Sequence, residues 1–170
     1  GNFDGCHLGH ITLLKQNLAL SSIENKKSCI ITFDPHPQTF FTKKKLPQLF
    51  TLEQKLRCFS KLGFDYCIVQ KFTKEFSEIA HDDFYLLLQE KLHCKHLVLG
   101  HDFTWGYKKK GNIKWLLLQN SACKLTTVSP YMHMGEVVKS NKIREMLKIG
   151  NVKKACLFLA KPYFVAGIVI

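Results

Sequence analysis

No stretch of the 170-residue sequence approaches the roughly 18–20 consecutive apolar residues that cross a bilayer as a helix. Runs such as Leu116–Leu118 and Ile168–Ile170 stop far short, so no transmembrane helix and no membrane partner are expected. A basic start followed by an apolar stretch is also missing, and the first ten residues carry an acid and two histidines instead. A secretory signal is therefore not expected, and the cytoplasm is the expected compartment. No CxxC pair occurs, and the seven cysteines (Cys6, Cys29, Cys58, Cys67, Cys94, Cys123 and Cys156) are an odd number. Both facts argue against a disulfide framework and against a zinc ribbon. Most of these thiols sit in apolar patterns, where cysteine behaves as a small hydrophobe. The cluster His93-Cys94-Lys95-His96 lacks the second ligand pair a metal site needs and reads as the polar entrance to a strand. Internal repeats, low-complexity segments and long linkers are absent too. An apolar content of 46% suffices for the core of one domain and excludes a disordered or collagen-like chain.

The charge is one-sided: 25 Lys and Arg against 13 Asp and Glu give a net +12. Such a balance suits an anionic partner, whether a polymer backbone, a membrane face or a phosphorylated small molecule. The basic residues are spread along the chain, with short knots at Lys43-Lys44-Lys45 and Lys108-Lys109-Lys110 and no arginine-rich arm. This favours a solvated basic surface over a nucleic-acid tail, and no nucleic-acid partner is expected.

Short apolar, β-branched runs at Ser28–Phe33, Asp65–Val69, His96–Gly100 and Leu125–Val128 read as strands buried on both faces. Between them lie stripes of helical period: Ile11, Leu14 and Leu18; Leu52, Leu56, Phe59 and Leu62; Phe84, Leu87, Leu88 and Leu92; and, late in the chain, Val152, Ala155, Cys156 and Leu159. Gly63 and Gly150 stand where helices should stop. Alternation of strand and helix predicts an α/β protein with a doubly wound parallel sheet, ligands binding beyond the carboxyl ends of the strands.

Four segments carry the chemistry. The chain opens Gly1-Asn2-Phe3-Asp4-Gly5-Cys6-His7-Leu8-Gly9-His10 and then turns helical. Two imidazoles three residues apart share one face of a first helical turn, beside its unpaired N–H groups, which suits phosphate. Gly5 and Gly9 would let a nucleotide approach the backbone. Thr32-Phe33-Asp34-Pro35-His36-Pro37 leaves a strand into a loop stiffened by two prolines. In Gly100-His101-Asp102-Phe103-Thr104-Trp105-Gly106, followed by Gly111-Asn112, an acid and aromatic rings follow another strand, a setting for a flat ring system. Near the end, Ser140 is a candidate helix N-cap, with Arg144 one turn on as a bidentate phosphate donor.

In this order, and across essentially the whole chain, these motifs resemble those of the bacterial FAD synthetases, bifunctional riboflavin kinase/FMN adenylyltransferases whose adenylyltransferase part carries a His-x-Gly-His signature. Lys139-Ser140-Asn141 departs from the Ser-Ser-Thr run usual there but keeps one hydroxyl and Ile143-Arg144. The resemblance implies a Rossmann-like nucleotidyltransferase fold and transfer of AMP from ATP to FMN, giving FAD and pyrophosphate, with Mg²⁺ accompanying the phosphates. It assigns His7, His10, Ser140 and Arg144 to the reacting phosphates. Gly1, Asn2, Phe3 and Gly9 would complete the ATP site, and Asp34, Pro35, His36, Asp102, Phe103 and Asn112 would meet the flavin. No metal ligand is assigned.

Two alternatives stay open on sequence: another His-x-Gly-His enzyme that adenylylates pantetheine phosphate or nicotinamide mononucleotide, and a basic RNA-binding fragment. The expected division is residues 1–160 as the adenylyltransferase domain and residues 161–170 as linker and first strand of a riboflavin kinase domain. A phosphate loop must be delivered by a preceding strand, so a first strand is expected before Gly1.

Overall fold

The computed structural model describes residues 1–42, 46–119, 122–159 and 161–165. The Lys43-Lys44-Lys45 knot, Ala160 and the proposed strand beyond Val165 lie outside the described residues.

A 3₁₀ turn at Asp4–Cys6 leads into α1 (Leu8–Ile23), followed by β1 (Cys29–Asp34), α2 (Pro37–Thr42), α3 (Leu52–Leu62) and β2 (Tyr66–Lys71). Next come α4 (Lys74–Ser77), α5 (His81–Glu90), β3 (His96–Gly100), β4 (Thr104–Trp105), β5 (Gly111–Asn112) and α6 (Ile113–Leu117). The chain continues through β6 (Lys124–Val128), β7 (Met132–His133), β8 (Glu136–Val137), α7 (Ser140–Lys148) and α8 (Val152–Leu159). Strands and helices fall where the apolar periods place them. The glycine stops hold as well: Gly63 caps α3 at φ +89°, and Gly150, at φ +77°, closes the turn after α7 by donating to the Leu147 carbonyl.

The sheet takes the form of two parallel pairs, β1 with β2 and β3 with β6, in the registers Ile31 to Ile68 and Val98 to Thr126. Two short antiparallel hairpins, β4 with β5 and β7 with β8, were not foreseen. Burial on both strand faces is not found throughout. β1 buries Ile30 and Thr32, whereas β3 is half-buried along its length and β2 alternates between exposed and half-buried. The reason is architectural: each strand has one paired neighbour among the described residues, and a cleft opens between the pairs, reaching Ile31 on one side and Leu99 on the other.

Polar ties lock the amino ends of both pairs. The Asp65 carboxylate accepts hydrogen bonds from Ser28 N–H (2.9 Å), Ser28 Oγ (2.8 Å) and Lys27 Nζ (2.7 Å), bracing β1 against β2. His96 bridges Glu24 at the end of α1 (3.0 Å) and Thr126 of β6 (2.8 Å). Two apolar clusters fill the interior. Cys6, Leu14, Ile30, Phe50 and Phe59 pack α1 and α3 on β1, while Leu49, Ile143, Phe158 and Leu159 pack α7 and α8 under the opening turn.

Candidate active site

The opening loop is tightly wound: Phe3, Gly5 and Cys6 all have left-handed φ values of +49°, +79° and +41°. Gly5 is required for a reason the sequence did not show. A Cβ there would come within 2.8 Å of Leu49 and 3.2 Å of Leu159, so its bare face turns to the core and not to a nucleotide. Gly9 does border the cleft, where a Cβ would press on His7 at 3.3 Å and on the Val138 carbonyl at 3.4 Å.

His7 is the N-cap of α1, its Nδ1 accepting the His10 N–H at 3.3 Å. Accepting at Nδ1 leaves the proton of the neutral ring on Nε2. The two imidazoles stack with centroids 3.6 Å apart and planes 16° from parallel, and the Phe3 ring meets His10 edge-on at 5.4 Å. Burial lowers the His7 pKa to about 4, and burial together with His7 itself holds His10 well below the ordinary histidine value. Near neutral pH the pair is uncharged. It offers polarised N–H groups at the amino end of a 16-residue helix, not two cations.

Asp4 is the hub that sequence reading missed. Its buried carboxylate accepts from Leu49 N–H (3.0 Å), Phe50 N–H (2.9 Å) and Arg144 Nη2 (2.5 Å), while its carbonyl accepts from Ser140 Oγ at 3.0 Å. Two assignments change as a result. Ser140 is the first residue of α7, not its N-cap; Lys139 holds that position without a side-chain bond, because the Ser140 hydroxyl is turned to Asp4. Arg144 spends three of its five N–H donors inside the protein, on Asp4, on the Pro47 carbonyl (2.8 Å) and on Asn141 Oδ1 (2.6 Å). A second overlooked group is Lys55, which occupies a position on the apolar stripe of α3. Its ammonium is buried beneath the loop, 3.4 Å from the Asn2 carbonyl and 3.5 Å from Thr32 Oγ1, and burial lowers its pKa.

The structure gathers Gly1, Asn2, Phe3, His7, Gly9, His10, His36, Asp102, Phe103, Ser140 and Arg144 around one open cleft of about 2010 Å³. His36 is buried in its wall, Nδ1 accepting from Gln38 N–H at 3.1 Å, and burial lowers its pKa. Asp102 projects into solvent beside His101, and Phe103 stacks on Trp105 with centroids 6.1 Å apart. Three expected residues do not border the cleft. Asp34 ends β1 opposite Lys71, Pro35 follows it, and Asn112 caps α6 by accepting the Trp115 N–H at 3.0 Å. The sequence also gave no warning of an aromatic wall on the same cleft, where Phe33, Phe40, Phe41, Phe72, Phe76 and Phe84 meet ring to ring at 5.4–5.9 Å.

Parallel strand pairs flanked by helices, with an imidazole pair on a helix start at the cleft, define an α/β protein of the Rossmann-like nucleotidyltransferase kind. A crystal structure titled as a macrolide-efflux protein from Streptococcus pneumoniae shares this fold, with a TM-score of 0.84 at 23% identity over 96% of this chain and 54% of that one. The chain belongs to the FAD synthetase family, whose description matches residues 1–142. It is 32% identical over 174 residues to a bifunctional riboflavin kinase/FMN adenylyltransferase of Buchnera aphidicola from Acyrthosiphon pisum, covering all of this chain and 56% of the relative. A protein of the same name from Listeria monocytogenes is 32% identical over 173 residues (55% of its length), and that of Escherichia coli K12 is 30% identical over 176 (56%). The chain thus spans about half the length of the curated relatives it matches. Among the described residues no helix is long and apolar enough to cross a membrane.

Proposed function

We propose that this chain transfers AMP from ATP to the phosphate of FMN, releasing pyrophosphate and forming FAD. The observation that carries the reading is the stacked, uncharged His7–His10 pair at the amino end of α1, facing the same cleft as the six-phenylalanine wall. One feature suits an α-phosphate and the other an isoalloxazine ring. A pantetheine acceptor has no ring to set against so broad an aromatic surface, and a nicotinamide only a small one.

The FMN phosphate oxygen attacks the α-phosphorus of ATP, a new P–O bond forms, and the bond to the bridging oxygen breaks as pyrophosphate leaves. Nε2–H of His7 and a ring N–H of His10, with the first amides of α1, would hydrogen-bond the oxygens on which charge builds. Neutral donors suit this step because their hydrogen bonds strengthen as that charge grows. Ser140 and Arg144 fix the loop through Asp4, and the two N–H groups Arg144 has left would meet the departing phosphates. Gly1–Phe3 would flank the adenosine, while His36 and Phe103 would bound the flavin. Asp34, Pro35 and Asn112 would act by shaping the loops beside the cleft. Among the described residues no three His, Cys, Asp or Glu side chains converge to hold a metal ion. Mg²⁺ would accompany ATP and offset the charge of its phosphates.

Residues 1–160 would form the adenylyltransferase domain of a cytoplasmic enzyme, with residues 161–170 leading toward a riboflavin kinase domain in a longer protein. Pyrophosphate release in the presence of ATP and Mg²⁺, measured with FMN, pantetheine phosphate and nicotinamide mononucleotide as separate acceptors, tests the substrate. Release with FMN alone supports the reading. Equal or greater release with another acceptor contradicts it.

A further inference from the structure

The adenylyl transfer makes no use of the cysteines, yet two of them meet at the amino ends of neighbouring strands. Cys94 precedes β3 by two residues and Cys123 stands immediately before β6. His96 pairs with Lys124 in the parallel ladder, and the Lys124 N–H donates to the Lys95 carbonyl at 2.9 Å, so the two incoming segments are held side by side. A left-handed residue at His93 (φ +48°) and a bond from Cys94 N–H to the Leu88 carbonyl (3.0 Å) aim the Cys94 side chain. The sulfurs lie 3.9 Å apart, the Cys123 S–H donating to Cys94 Sγ. By the register of the ladder Cys123 lies opposite Lys95, one residue on from Cys94, and with the sulfurs already 3.9 Å apart a disulfide requires them to approach by about a further 2 Å. Cys94 also borders the open cleft, which gives a small oxidant a route to it.

We propose that Cys94 and Cys123 are a modification site, forming a reversible intramolecular disulfide when the protein meets a peroxide. The roles of the two sulfurs follow from their hydrogen bond. The Cys123 donor, foremost, lowers the Cys94 thiol to about 7, and the same bond pushes Cys123 far up, so Cys94 is the thiolate and Cys123 the resolving thiol. The Cys94 thiolate attacks one oxygen of hydrogen peroxide; the O–O bond breaks, hydroxide leaves and Cys94 becomes a sulfenic acid. The Cys123 sulfur then attacks the Cys94 sulfur, the S–O bond breaks, and the thiol proton leaves with the hydroxyl as water. A dithiol restores both thiols by exchange. The bridge ties the starts of β3 and β6, away from Gly100 and Val128 at their far ends.

The test is a peptide map of the fully reduced chain after brief treatment with hydrogen peroxide, alkylation of the remaining thiols and digestion without reductant. The expected product is one peptide pair joining Cys94 to Cys123, two hydrogens lighter than its parts and released by dithiothreitol. In Cys123→Ser the Cys94 sulfenic acid should persist and be captured by dimedone. In Cys94→Ser, Cys123 should remain an alkylatable thiol. Recovery of both cysteines alkylated in the treated wild-type chain, or a main product that joins other cysteines or two chains, would overturn the assignment.

Discussion

Arg144 donates to the Asp4 carboxylate across 140 residues of sequence, and through that one pair the last motif of the chain holds the first in place. Both side chains are nearly closed to solvent, with 13% and 4% exposed. Removing one partner of a buried pair strands the other, so Arg144→Ala and Asp4→Asn should each cost roughly 3–5 kcal/mol of stability. The double variant should cost much less than the sum of the two. Denaturant titration of the four proteins checks this coupling.

Activity should respond differently to the histidines. His7→Asn or His10→Asn should lower kcat by roughly 10²–10³, with little change in ATP affinity, because the lost hydrogen bonds matter most as charge builds on the α-phosphate. Steady-state kinetics beside an ATP-binding measurement separates the two effects. A loss confined to KM would remove the imidazoles from the chemical step.

The aromatic wall makes a third claim. Phe72 contacts Phe33, Phe40, Phe41 and Phe76 in the same cluster. Phe72→Ala should therefore raise KM for FMN while leaving KM for ATP near its original value. The size of the effect follows from losing an aromatic partner, about 1 kcal/mol or several-fold. Initial rates with each substrate varied in turn give the answer.

Acid should destabilise the fold in a window set by histidine. The folded-state pKa of His7 falls to about 4 from 6.5, and those of His10 and His36 also fall, each chiefly through burial. Between those values the unfolded chain binds protons that the folded chain refuses, so stability drops as pH falls from about 6.5 toward 4. His7 alone accounts for roughly 3 kcal/mol of that loss at the lower end. Asp65 has a depressed pKa, owing first to Lys27, so its contribution is lost only below the ordinary aspartate value of 3.8. Unfolding free energies at pH 7, 6 and 5 should show the histidine slope, and His7→Asn should flatten it.

What could be read from sequence was local. Helices α1, α3 and α5 and strands β1, β2, β3 and β6 are written in apolar periods of a few residues, and the His7–His10 spacing fixes a shared face wherever the helix lies. Contacts between distant segments leave no such mark. Nothing near Asp4 marks it as the acceptor for Leu49, Phe50 and Arg144, and the helix-start pattern that made Ser140 an N-cap gave no hint that a carbonyl 136 residues away would take its hydroxyl. Lys55 was hidden by being polar on an apolar stripe. The phenylalanines of the cleft wall come from β1, α2, α4, α5 and the residue following β2, which only the fold brings together.

The most direct measurement follows the adenylyl group itself. The chain is mixed with α-³²P-labelled ATP, Mg²⁺ and FMN, and flavin, protein and nucleotide are separated over a single turnover. Direct attack by the FMN phosphate requires label to pass from ATP to FAD in step with pyrophosphate release, with none bound to protein at any time. Label that stays out of the flavin, or that pauses on the protein before reaching it, would contradict the account.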